Sequence, residues 1–139
     1  MAETRYGQHI ITDLIHDIPH YGGYSFLSHS GELNEECSIG YHCISEPITF
    51  EKPHAHDFAE MLFFFGGDPT DIRELGAEVE ICLGEEQEKH LLTKAGVVSI
   101  PAGLMHCPIA VKNVTKPIVF LEISLTSLYG PRVASEGEE

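Results

Sequence analysis

Basic residues are scarce in this 139-residue chain. Lys and Arg number 8 against 22 Asp and Glu, for a formal net charge of -14. Nucleic-acid binding needs clustered cations to neutralise phosphates, so this balance argues against nucleic acid as a partner. Anionic membrane surfaces are disfavoured for the same reason, and a solvated acidic surface that aids solubility is the reading that remains. Long apolar runs are also missing. The longest, Met61 to Phe65, is followed by two glycines and is far too short for a membrane-crossing helix. The start, Met-Ala-Glu-Thr-Arg, lacks the basic residues and apolar stretch of a secretory leader, so a cytoplasmic protein is expected. Cysteines fall at positions 37, 43, 82 and 107 without a CxxC pair. That spacing leaves zinc-ribbon and thioredoxin-type motifs unsupported and suggests reduced, structural thiols. No repeat and no linker is visible, so a single domain over 1–139 is expected, with an acidic tail over about 133–139.

Long stretches of helical periodicity are absent as well. What is present is a succession of short segments rich in β-branched and aromatic residues, broken by Gly, Pro and acidic turns. Strands are expected at His9–Thr12, Tyr24–His29, Cys37–Ser45, Ile48–Phe50, Ala59–Phe65, Ala77–Leu83, Lys89–Thr93, Val97–Ile100, Cys107–Lys112 and Ile118–Leu125. Gly84-Glu85-Glu86 reads as a hairpin tip. One helical turn is expected over Asp68–Leu75, with Asp68 as cap and Pro69 in the first position. Many short strands in one small domain imply an all-β sandwich or barrel. Met61-Leu62-Phe63-Phe64-Phe65 is apolar on both parities. If Glu60, Leu62 and Phe64 face inward, the other set needs cover from outside, and a homodimer is the expected source of it.

The chemistry concentrates in His54-Ala-His56-Asp-Phe-Ala-Glu60. Residues two apart on a strand point to the same side, so His54, His56 and Glu60 can share one interior. Pro101-Ala-Gly103-Leu-Met-His106 adds a third imidazole after a Pro/Gly turn. A carboxylate leading straight into an apolar strand needs a partner, because burying an unpaired charge is costly. Two histidines and a carboxylate with open positions suit Fe(II) and oxygen chemistry, and a third histidine widens the choice to Mn, Ni, Zn, Co or Cu. Alternation turns Cys107 away from the side that His106 faces, so it is not counted as a ligand. His42, on the preceding strand, is a candidate base or hydrogen-bond donor. Glu60 can act as a ligand or take a proton.

At this point the chain resembles the cupin superfamily. His54-x-His56-x3-Glu60-x6-Gly67 looks like the first cupin motif, G-x5-H-x-H-x3,4-E-x6-G. Gly96-x4-Pro101-x-Gly103-x2-His106 is similar to the second, G-x5-P-x-G-x2-H-x3-N. The resemblance covers about 35–125. It implies a double-stranded β-helix, or jelly-roll barrel, with metal ligands at His54, His56, Glu60 and His106. Three departures stand out: Ile48 replaces the leading glycine, Gly96 sits one residue closer to Pro101, and Ala110 replaces the closing asparagine. None falls on a ligand position. The resemblance implies a metal-dependent enzyme acting on a small molecule, with dioxygenase-type oxidation favoured. Isomerase, decarboxylase or lyase chemistry is the alternative, as is a non-catalytic module that binds a metal or small molecule.

Overall fold

A computed structural model describes residues 4–129. Ten strands follow one another: β1 (Ile15–Ile18), β2 (Gly23–Ser28), β3 (Ser38–Ile44), β4 (Ile48–Phe50), β5 (Glu60–Gly66), β6 (Glu74–Leu83), β7 (Glu88–Lys94), β8 (Gly96–Ile100), β9 (His106–Lys112) and β10 (Ile118–Ser124). They pair antiparallel into a six-stranded sheet, ordered β1-β2-β3-β10-β5-β8, and a four-stranded sheet, ordered β4-β9-β6-β7. The chain passes back and forth between the sheets, so the two faces close on one core as a jelly roll. The only helices among the described residues are single 3-10 turns at Gly7–His9 and Pro19–Tyr21, and no helix there is long and apolar enough to cross a membrane.

Two expected elements differ. His9–Thr12 is not a strand, since His9 ends a 3-10 turn and the next residues are unpaired. The N-terminal strand is β1 instead. It lies at the sheet edge with three of its four residues exposed, so burial writes no alternation into Ile-His-Asp-Ile. The expected helical turn over Asp68–Leu75 is absent: successive turns run from Asp68 to Arg73, and Glu74 and Leu75 already open β6. Asp68 Oδ1 accepts hydrogen bonds from the Thr70 amide at 2.9 Å and its hydroxyl at 2.6 Å. Asp71 N–H then donates to the Asp68 carbonyl, and Glu74 N–H to the Asp71 carbonyl. Such Asx geometry competes with helix, and exposed Ile72 offers no buried face to favour one. The Gly84 hairpin tip is as expected: Gly84 sits at φ 83°, and Gln87 N–H donates to its carbonyl at 3.0 Å.

The inward parity of β5 is Glu60, Leu62, Phe64, and that of β10 is Ile118, Phe120, Glu122, Ser124. Cross-strand pairing sets Phe64 beside Phe120, whose rings stack at 4.9 Å. With Ile44, Phe50, Ile81 and Val111 they form an apolar half of the interior. The rows beside them are polar: Gly40, Glu122 and Leu62 lie side by side, then Ser38, Ser124 and Glu60. The barrel is therefore apolar toward one end and holds two buried carboxylates toward the other. Gly40 makes room for one of them, since a Cβ there would sit 2.8 Å from the Glu122 Oε2.

Candidate metal centre

Backbone brings His54, which lies outside the named strands, to His106, the first residue of β9. Each donates its amide to the other's carbonyl, at 3.0 and 2.9 Å, forming an isolated antiparallel bridge. Residues that exchange both hydrogen bonds stand opposite each other with side chains on one face. The Pro101–Leu104 turn directs the chain into this bridge. Leu104 N–H donates to the Pro101 carbonyl, Gly103 sits at φ 87°, and Gly103 N–H donates to the His56 carbonyl at 2.8 Å. A third turn position with positive φ demands glycine, so Gly103 ties the His106 segment to the His54–His56 segment. His54, His56 and Glu60 do not share one regular strand. His54 belongs to the bridge, residues 57 and 58 bend, and Glu60 opens β5, yet all three reach the same interior.

One nitrogen from each of His54, His56 and His106 lies within 4.8 Å of the others. His54 Nδ1 is 2.8 Å from the Lys52 carbonyl and His106 Nδ1 is 3.1 Å from the Leu104 carbonyl. A carbonyl only accepts, so both Nδ1 atoms carry the proton and each Nε2 presents a lone pair. This is the usual way a protein fixes the tautomer of a ligating histidine. Glu60 is 2 % exposed. Its Oε2 accepts from the Ser124 hydroxyl at 3.2 Å. Its Oε1 accepts no hydrogen bond and faces His106 Nε2 at 3.3 Å and His56 Nε2 at 3.9 Å. A buried carboxylate oxygen left without a donor is costly in protein alone. Converging lone pairs with an acceptor-only oxygen beside them fit a divalent cation.

His42 lies in an adjoining buried network. Its Nδ1 is 2.6 Å from the Ser25 hydroxyl and its Nε2 is 2.8 Å from Glu122 Oε2, with the Tyr21 ring stacked on it at 3.9 Å. His29 Nε2 stands 3.7 Å from the other Glu122 oxygen. Burial alone would raise the Glu122 pKa, but hydrogen bonds from His29 and His42 and their charge outweigh it, and the value falls from 4.5 to about 2. Glu122 also lines a narrow pocket of about 10 Å³, whose walls include His54, Glu60, Leu62, His106 and Phe120. Glu122 thus reaches the pocket, whose walls do not include His42. The signal for it was available: like Glu60, it is an inward carboxylate on an otherwise apolar strand. Cys107 lines the same pocket, contrary to simple alternation. Its φ of 82° and the register shift opposite it in β6 break the pleat there. It is not part of the histidine group, and none of the four cysteines is in a disulfide. Tyr129, beyond the last strand, places its hydroxyl 3.3 Å from His56 Nε2. No spacing in the sequence marks it. His90 is paired with Glu88 at 2.7 Å on the surface, away from the site.

No family model and no curated protein matches the sequence. Solved structures do. Peruvianin-I, a cysteine peptidase from Thevetia peruviana latex, superposes with a TM-score of 0.61 at 13% identity, covering 91% of this chain and 77% of that one. CapF, solved with the inhibitor 3-isopropenyl-tropolone, gives 0.55 at 15% identity, covering 86% of this chain. Bacillus subtilis oxalate decarboxylase, in a study of its Mn(II) centres, gives 0.54 at 13% identity, covering 88% of this chain. This chain spans only 32% of the CapF and oxalate decarboxylase chains. Likeness at these identities is likeness of fold. Together with the two antiparallel sheets, it establishes the all-β, double-sheet jelly roll that the paired motifs implied.

Proposed function

We propose that this cupin-fold protein is a metal-dependent enzyme acting on a small organic molecule, with His54, His56, His106 and Glu60 holding one divalent transition metal. The observation that carries the reading is the histidine triad, with two of its tautomers fixed by carbonyls and the undonated Glu60 oxygen beside His106 and His56. The bound ion would supply Lewis acidity, and a redox-active one such as Fe(II) would also support oxidation by dioxygen. The chain's own residues do the rest. Leu62, Phe120 and Phe50 keep the inner wall apolar, Ser124 orients Glu60, and buried Glu122 adds a fixed negative charge. His42 holds Glu122 in place and is the group from which a proton could be drawn. Reduced thiols at all four cysteines agree with a cytoplasmic location.

Dioxygenase-type oxidation is the reaction we assign. Anaerobic purification, loading with Fe(II) and screening of small acids, diketones and phenols by oxygen electrode should give substrate-dependent oxygen uptake that a chelator abolishes. Metal-loaded protein that consumes no oxygen across the panel would instead support decarboxylase, lyase or isomerase chemistry, or a binding role. A binding module is the second reading. It draws on the tightness of the pocket, whose cavity of about 10 Å³ is far below the roughly 300–1,000 Å³ usual for small-molecule sites.

A homodimer belongs to the same proposal. The outer face of the six-stranded sheet carries Met61, Phe63 and Phe65 of β5 beside Val119, Leu121 and Ile123 of β10. Phe65 is 38% exposed and neighbouring Tyr41 47%. A contiguous apolar face of this kind marks an interaction surface. Light scattering after size exclusion should give twice the chain mass, and Phe63→Glu should give the monomer. A monomeric wild type would remove the dimer from the proposal.

A further inference from the structure

The geometry points to a second small-molecule site, separate from the metal centre, that takes a primary ammonium ion carrying a short apolar body. Between the Pro19–Tyr21 turn and the connection at 44–48 lies a cavity of about 300 Å³. That is the lower end of the roughly 300–1,000 Å³ usual for small-molecule sites, whereas the metal pocket has about 10 Å³. The two cavities share no lining residue. Local sequence shapes both walls. Pro19 opens its 3-10 turn, and Gly22 closes it at φ 76°, donating its amide to the Pro19 carbonyl at 2.9 Å. Pro47 stiffens the opposite wall, between β3 and β4. A proline fixes one backbone dihedral on each side, so little freedom is lost when a ligand enters. Rings hold the side chains of the first wall. His20 meets Phe50 at 5.0 Å and 60°, and Tyr21 stacks on His42 at 3.9 Å and 12°.

The lining decides the charge of the ligand. Among the described residues it holds one carboxylate, Glu46, and no Lys or Arg. Ser45 adds a hydroxyl and His20 an imidazole. An ammonium group brings three donors and no acceptor, which suits a carboxylate with neutral acceptors around it. An anion would meet Glu46 in the field of a chain of net charge -14. A neutral ligand gains nothing from the Glu46 charge. Ile44, 2% exposed, and half-buried Ile48 belong to the barrel core and also line the cavity. They offer apolar surface for the hydrocarbon part of the ligand, whose burial adds to the attraction of the charge. Nothing in this site depends on the metal reading.

The test titrates the full chain and follows its backbone amides by NMR. Three probes share one aryl-alkyl body: phenylpropylammonium, phenylpropanol and phenylpropionate. The ammonium should shift the Gly22, Ser45 and Glu46 amides saturably, the alcohol should do so more weakly, and the acid should leave them in place. Glu46→Gln should weaken binding of the ammonium about fivefold, the upper end for an exposed ion pair, and leave binding of the alcohol unchanged. Glu46 is exposed, so this variant keeps the fold. Saturable shifts at these amides that Glu46→Gln reduces for the ammonium alone support the site and its ligand class. Absence of saturable shifts there with all three probes overturns the site. Equal affinity for ammonium and acid, or ammonium binding that Glu46→Gln leaves untouched, overturns the ligand class.

Discussion

His106→Ala should strip the protein of well over half of its bound metal per chain, as measured by elemental analysis after dialysis. His106 Nε2 is the imidazole nitrogen nearest the undonated Glu60 oxygen, at 3.3 Å, and its Nδ1 proton is committed to the Leu104 carbonyl. The side chain is 2% exposed, so no water-borne group replaces it cheaply. Even partners that only orient a ligand are worth about 10–100-fold in metal affinity, and loss of a ligand itself should exceed that. The His54–His106 bridge is made by backbone, so the alanine variant keeps both hydrogen bonds that shape the site. Circular dichroism should accordingly remain that of the wild type. Unchanged metal content in a folded His106→Ala protein would defeat the ligand assignment, because the remaining donors would then suffice without this histidine.

The parts of this site that could be read in the sequence are those governed by short-range rules. Glu60 was visible because a carboxylate entering Met-Leu-Phe-Phe-Phe has to be satisfied, and Gly103 because a turn placed before His106 requires positive φ. Period-two burial made strands such as β5, β6 and β10 legible, whereas β7, exposed at the edge of its sheet, was marked by the Gly84 hairpin tip before it. β1 was not legible, because an exposed edge strand leaves no such pattern. His54 and His56 were assigned by parity along one strand, whereas the structure brings them in through a bridge and a bend. They nonetheless lie together, because the backbone of residues 101–106 ties them to the barrel from the other side. Tyr129 and the Ser25–His42–Glu122–His29 network were not legible as groups. Their members come from separate strands and loops, and only the order of strands in the sheet, β2-β3-β10, makes them neighbours.

Glu122→Gln should lower stability at neutral pH by about 3 kcal/mol, and the deficit should vanish in acid. The Glu122 carboxyl is fully buried and its pKa falls from 4.5 to about 2, so the native state favours the carboxylate. A group depressed in this direction stabilises the fold above its unfolded pKa and loses that contribution as pH falls through its folded value. The wild type should therefore weaken between about pH 4.5 and pH 2, which is the interval over which the unfolded chain, but not the native one, takes up the proton. Glutamine has nearly the same shape. It still accepts from His42, but it offers no charge to either histidine, so its stability should change less across that interval. Urea midpoints for both proteins at several pH values would show the two curves converging near pH 2. A constant offset between them would mean that Glu122 acts through shape alone. In that event the second carboxylate would be a packing element around Gly40, whose missing side chain makes room for it. Convergence would instead establish a fixed negative charge in the wall of the metal pocket, balanced by two histidines in the resting protein and placed to act on whatever ion or ligand enters beside Glu60.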